Sequence, residues 1–72
     1  MTRSEANQKI LLRLFKLIEK YPNIRFGQLL FNYVLEYESD PEKGIRIKDC
    51  FNEESTITLD RINKNISYYN LL

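Results

Sequence analysis

Few side chains in this sequence of 72 residues could carry out catalysis. Cys50 is the only cysteine and the chain has no histidine, so nucleophilic catalysis by a Cys–His pair and a Cys/His zinc site are both excluded. Four acids stand close together: Glu36, Glu38, Asp40 and Glu42. They lack the Asx alternation and the glycine of a calcium loop. We therefore expect a solvated charge run, and we predict no enzymatic activity, no metal and no cofactor.

Arg25 and Gln28 stand three residues apart where a second helix is predicted to begin. Backbone amides and the positive end of the helix dipole favour anions at such a place, so the pair could bind a carboxylate or a phosphate. The interpretation that we favour is structural. Arg25 would then fix a neighbouring loop by pairing with Asp49 or Glu53.

Basic side chains follow one face of the first predicted helix, at steps of four, three and four: Lys9, Arg13, Lys16 and Lys20. On a helix-turn-helix corner such a stripe could contact phosphates. The chain as a whole is balanced, however, with 11 basic and 10 acidic residues, and the second predicted helix becomes acidic at Glu36. We favour the solvated face of an amphipathic helix, and nucleic-acid binding remains the alternative.

The elements that position these residues begin with a helix over about residues 3–20. Thr2 and Glu5 match the capping box of a helix N-terminus, and Pro22 ends the helix because the residue before a proline avoids the α region. We expect an apolar set to face the core: Ile10, Leu11, Leu14, Phe15, Leu17, Ile18 and Tyr21.

A second helix is predicted from Asn23 or Arg25 to about Tyr37. One full helical face is apolar: Phe26, Leu29, Leu30, Tyr33, Val34 and Tyr37. Phe31 and Leu35, four residues apart, predict a second apolar stripe that a chain of this length has little means to cover. Gly27 in the first turn is acceptable if the first helix packs so closely that a Cβ would clash.

Residues 38–54 are predicted to be a connecting loop, since proline, glycine, serine and charged residues are concentrated there. Residues 45–48 and 56–59 both alternate and could form a two-stranded wing. The rival interpretation is a third helix that begins near Ser55. Its apolar residues recur at steps of three, four and three: Leu59, Ile62, Ile66 and Tyr69. We favour the helix, because this spacing spans eleven residues while each alternating segment spans four.

Two segments resemble a pattern of short uncharacterised bacterial and phage proteins. They are residues 21–30, YPNIRFGQLL, and residues 49–55, DCFNEES. The chain departs from the pattern where Cys50 replaces a proline and where residues 52–54 replace Tyr-Ile-Glu. The resemblance implies a helix after the second segment, and it implies no activity. Its polar signature positions in this chain are Arg25 and Gln28.

We therefore predict an all-α fold in a single domain, residues 1–72: a helical hairpin, the 38–54 loop and a third helix, with a possible short β element near residues 45–48. A core of this size nets only ~3–5 kcal/mol, and a disulfide within the chain is excluded, so association is expected. The predicted interface combines the second stripe with C-terminal aromatics: Phe31, Leu35, Tyr68 and Tyr69.

The leading functional interpretation is a non-enzymatic protein–protein interaction module that forms a homodimer or binds a protein partner. The resemblance implies that it is encoded by a phage or a mobile element and acts on a host protein. The sequence predicts no signal peptide and no membrane span, since its apolar runs are far shorter than the ~20 residues that cross a bilayer. We expect it in the cytoplasm of a bacterial host cell.

Overall fold

A computed structural model describes the backbone of residues 1–71 and the side chains of residues 1–70. The fold is mostly helical and includes one antiparallel hairpin. Its elements are α1 (Arg3–Lys20), α2 (Phe26–Leu29) continued by a π-helical turn (Leu30–Val34), β1 (Tyr37–Asp40), β2 (Gly44–Ile47) and α3 (Ser55–Leu71). No helix among the described residues has the length and apolar character needed to cross a membrane.

Helix α1 begins and ends where the sequence predicts, and its N-terminus is fixed by the predicted capping box. The Glu5 amide donates to Thr2 Oγ1 at 3.1 Å, and the Thr2 amide donates to Glu5 Oε1 at 3.3 Å. Two amide groups that have no partner within the helix are thereby satisfied.

Helix α2 is shorter than predicted and changes character after four residues. The Leu35 amide donates to the Leu30 carbonyl at 2.9 Å, which is the i to i−5 bond of a π-helical turn. The helix ends at Val34, three residues before the predicted end near Tyr37, and the chain becomes extended at Leu35. Close packing against α1 does not account for Gly27, because a Cβ there would meet no atom within 4 Å.

The predicted loop over residues 38–54 contains a β-hairpin, so the all-α prediction is wrong in this segment. The register pairs Tyr37 with Ile47 and Asp40 with Gly44. Asp40 Oδ1 accepts from the Glu42 amide at 2.8 Å, and Gly44 takes a φ of 79°, a left-handed value that suits glycine. The short β element predicted near residues 45–48 is present as β2. The two-stranded wing that would pair it with residues 56–59 is not, because those residues lie in α3.

The core lies where α1, α3 and the π-helical turn meet. Among the side chains of residues 1–70, six apolar ones are buried: Ala6, Leu17, Leu29, Tyr33, Leu59 and Ile62. The α3 residues predicted from their spacing take part, since Ile66 and Tyr69 also pack against this core. The prediction for α1 is wrong in part. Leu11, Phe15 and Ile18 are exposed, because the neighbouring elements cover only the side of α1 that carries Leu14 and Leu17.

Candidate protein-binding surface

A groove of about 350 Å³ lies between the start of the hairpin and α3. Three tyrosines and a leucine supply its aromatic and apolar surface, and the polar side chains among them expose at least as much surface. The lining residues are Asn32, Leu35, Glu36, Tyr37, Arg61, Asn65, Tyr68 and Tyr69. Leu35, Tyr68 and Tyr69, which the sequence assigned to one interface from separate parts of the chain, therefore line the same groove. We call it the aromatic groove.

Phe31, the fourth residue of the predicted interface, adjoins the groove through Tyr37. The two rings stack at 4.9 Å between centroids and 6° between planes. Phe31 keeps 36% of its surface exposed, while Leu35 is half-buried. The stripe predicted for Phe31 and Leu35 is wrong, because the helix ends at Val34 and Leu35 is extended. The hairpin, and not a longer helix, brings an aromatic partner to Phe31.

The apolar surface continues from the groove along one face of the hairpin. Tyr37 stands opposite Ile47 and Ser39 opposite Ile45, and residues opposite one another in an antiparallel pair point to the same face. Ile45 is 62% exposed and Ile47 is 56% exposed. We call Tyr37, Ile45 and Ile47 the hairpin face.

The other face of the hairpin is charged. Lys48 Nζ lies 3.5 Å from Glu36 Oε1 and 3.7 Å from Glu38 Oε1, in an exposed cluster of ion pairs. Exposed pairs of this kind contribute little to stability, about 0–1 kcal/mol each. The hairpin is thus amphipathic, and its apolar face is the one continuous with Phe31 through Tyr37.

Arg61 on α3 holds the groove and the segment after the hairpin together. Its Nε donates to the Val34 carbonyl at 2.8 Å, and its Nη1 donates to Glu53 Oε2 at 2.9 Å. Thr58 Oγ1 donates to Glu53 Oε1 at 2.6 Å. The Arg61 and Glu53 side chains each keep only 14% of their surface exposed. The π-helical turn, the 50–54 segment and α3 are therefore joined through one guanidinium.

The electrostatics of this cluster follow from the pairing. Hydrogen bonds from Arg61, and then from Thr58, lower the pKa of Glu53 to about 2. The hydrogen bond to Glu53 raises the pKa of Arg61 in return. Both groups are consequently charged across the physiological range, and they act as a structural pair.

Arg25 does not fix a neighbouring loop in the way that the sequence predicts, and Gln28 has a local role. Gln28 Oε1 accepts from the Arg25 amide at 3.2 Å, so Gln28 caps the first turn of α2. The expected pairing of Arg25 with Asp49 or Glu53 is wrong. Glu53 is held by Arg61, and Asp49 Oδ1 accepts from the Phe51 amide at 2.9 Å.

The basic stripe of α1 lies partly along α3. Arg13 Nε donates to Asn63 Oδ1 at 3.0 Å, and Lys20 Nζ donates to Asn70 Oδ1 at 2.9 Å. Lys9 and Lys16 are exposed. Two of the four predicted phosphate contacts are thus engaged in bonds between α1 and α3.

Cys50 is half-buried with its thiol 3.9 Å from Arg61 Nη2. The neighbouring Phe51 does not cover the thiol, because the Phe51 side chain is 90% exposed. The thiol faces the guanidinium instead of an apolar neighbour.

A larger cavity of about 570 Å³ lies at the C-terminal end of α1. Tyr21, Ile24, Tyr33 and Tyr69 supply its aromatic and apolar wall, with Lys20 at its edge. Burial raises the pKa of the Tyr33 phenol. No carboxylate is present among the residues that line it, and its titratable side chains are Lys20 and three tyrosines.

Arg61 is the residue of this surface that sequence reasoning missed. Its one sequence signal is an arginine placed between Leu59 and Ile62 on the side of α3 that packs. Comparisons of the chain with protein-family models, curated proteins and solved structures found no match.

Proposed function

We propose that this chain is a non-enzymatic protein-binding module whose interface is the aromatic groove together with the hairpin face. The observation that carries the proposal is the gathering of Phe31, Leu35, Tyr37, Tyr68 and Tyr69 around one groove. Tyrosine is enriched among the residues that dominate protein–protein affinity, since it offers a large rigid surface with a polar tip.

The composition of the groove also supports a protein partner. Glu36 and the two asparagines supply hydrogen-bonding groups among the aromatic rings. A protein interface typically combines an apolar centre with about one hydrogen bond per 100–200 Å². The resemblance to bacterial and phage proteins suggests that the partner is a bacterial host protein.

The experiment uses the chain as bait in a bacterial lysate, with two interface variants and one matched control. Tyr68→Ser and Ile47→Ser each remove an exposed side chain from the proposed interface. Phe51→Ser removes a side chain that is 90% exposed and lies outside the groove. A protein recovered with the parent chain and the control, and lost with both interface variants, is the expected partner.

Calorimetry with the purified partner then measures the affinity. We expect each interface variant to weaken binding by about tenfold or more, and the control to stay within about twofold. Equal affinity of all variants would refute the proposed interface. Micromolar binding of random duplex DNA that weakens steeply with salt would instead favour the nucleic-acid alternative.

A further inference from the structure

Helix α1 carries an apolar stripe that points away from the core. Leu11, Phe15 and Ile18 recur at four and three residues, so they lie along one side of the helix, and Leu12 stands beside them. Their exposed fractions run from 43% for Ile18 to 67% for Leu11. We call these four residues the α1 seam, and we propose that a second copy of this chain packs against it.

The seam is distinct from the side of α1 that builds the core. Leu17 is buried and Leu14 packs against the core cluster, whereas the seam residues lie on a neighbouring side of the helix. A four–three spacing of apolar residues is also the spacing of the seam in paired helices. Helix α1 therefore has two faces that could pack. The core of one chain covers only the face that carries Leu14 and Leu17.

The area is that of a modest dimer. A stable interface buries ~800 Å² per partner, and about two-thirds of it is apolar in homodimers. An aromatic side chain offers ~150–250 Å² and a leucine or isoleucine somewhat less, so these four side chains, exposed by about half, supply on the order of 300 Å². Polar residues of the same side of α1, such as Ser4 and Gln8, supply part of the rest. We expect a dissociation constant in the micromolar range.

The charges beside the seam favour an identical partner. Two acids and two bases lie three, four or seven residues from Leu12: Glu5, Lys9, Lys16 and Glu19. These four charges cancel, so two copies of the α1 seam can approach without repulsion between like net charges. The whole chain carries a net charge of only +1. A strongly charged partner has no complementary field to recognise here, whereas a near-neutral surface permits self-association.

The dimer is a property separate from the proposed function. The residues that line the aromatic groove come from the 32–37 segment and α3, and none of them lies on α1. Variants of the seam therefore test self-association, and variants of the groove test partner binding.

Sedimentation velocity from about 10 to 500 µM measures the mass of the full chain. We expect it to approach twice the 8.7 kDa of one copy as concentration rises. Leu11→Gln and Phe15→Gln should each raise the dissociation constant at least tenfold. Phe51→Gln, a matched exposed position, should leave it unchanged. Because both seam side chains are at least 60% exposed, circular dichroism should show the parent helix content in both variants.

A parent chain that stays at 8.7 kDa at the highest concentration overturns the inference. Dimers that persist in both seam variants overturn it as well, and so does a dimer that Tyr68→Ser abolishes while Phe15→Gln leaves it intact. The last result would place self-association at the aromatic groove.

Discussion

Replacing Glu53 with glutamine tests whether the pair with Arg61 stabilises the fold. The pKa of Glu53 falls from 4.5 to about 2, a difference of 4.5 − 2 = 2.5 units. At 1.36 kcal/mol per unit this corresponds to ~3 kcal/mol of stability. Part of it belongs to the hydrogen bond from Thr58, which glutamine can retain, and water still reaches 14% of both paired side chains. We therefore expect Glu53→Gln to lower the free energy of unfolding by ~2 kcal/mol near pH 7.

The sign of the pH dependence follows from the direction of the shift. A carboxyl group with a lowered pKa in the folded state contributes stability above its unfolded pKa of 4.5. That contribution is lost as the pH falls through about 2, where Glu53 becomes protonated in the folded state too. The difference between parent and Glu53→Gln should thus shrink steadily as the pH is lowered from 4.5 toward 2.

Urea unfolding followed by circular dichroism at about pH 7 and about pH 3 measures both quantities. Glu54→Gln is the matched control, because Glu54 is the adjacent acid and its ion pair with Arg3 is exposed. We expect the control to leave stability close to that of the parent, because exposed ion pairs contribute little. A Glu53→Gln variant as stable as the parent near pH 7, or a loss of the same size at both pH values, would refute the reasoning.

Two further predictions concern glycines and a helix cap. Gly27→Ala should raise the free energy of unfolding by ~0.5–1 kcal/mol, because Gly27 lies in a helix and the new Cβ meets no atom within 4 Å. Gly44→Ala should lower the free energy of unfolding by ~1 kcal/mol, because φ is 79° there. Urea unfolding in which both substitutions change stability in the same direction would contradict this. Gln28→Ala should lower the free energy of unfolding by ~0.5–1 kcal/mol, because the side chain that caps α2 is lost. Arg25→Ala keeps the backbone amide as donor, so in thermal unfolding it should lower stability by less than half as much.

The helices were predictable where local signals are strong. The capping box at Thr2 and Glu5 and the proline at position 22 mark both ends of α1, and the spacing of Leu59 and Ile62 marks α3. These signals act within one helical turn and need no contact with the rest of the chain.

Strand β1 was not predicted because its residues have little intrinsic β preference. Its sequence, Tyr-Glu-Ser-Asp, contains two acids and a serine, and it becomes a strand because the turn from Asp40 to Gly44 brings β2 beside it. The pairing of Glu53 with Arg61 was missed for a similar reason. The sequence offers several acids and bases for one pair, and only the packing of α3 selects Arg61.

The sequence by itself determined that the chain is small, nearly neutral and mostly helical, and that it has more apolar side chains than its core can hold. It could do so because composition and periodicity do not depend on how the helices are arranged. Only the tertiary structure decided which of those side chains remain in water. Helical spacing cannot distinguish Leu14 and Leu17, which face the core, from Leu11 and Phe15, which do not, because all four belong to one broad apolar arc. The placement of α3 and the π-helical turn covers half of that arc, and it leaves the other half exposed.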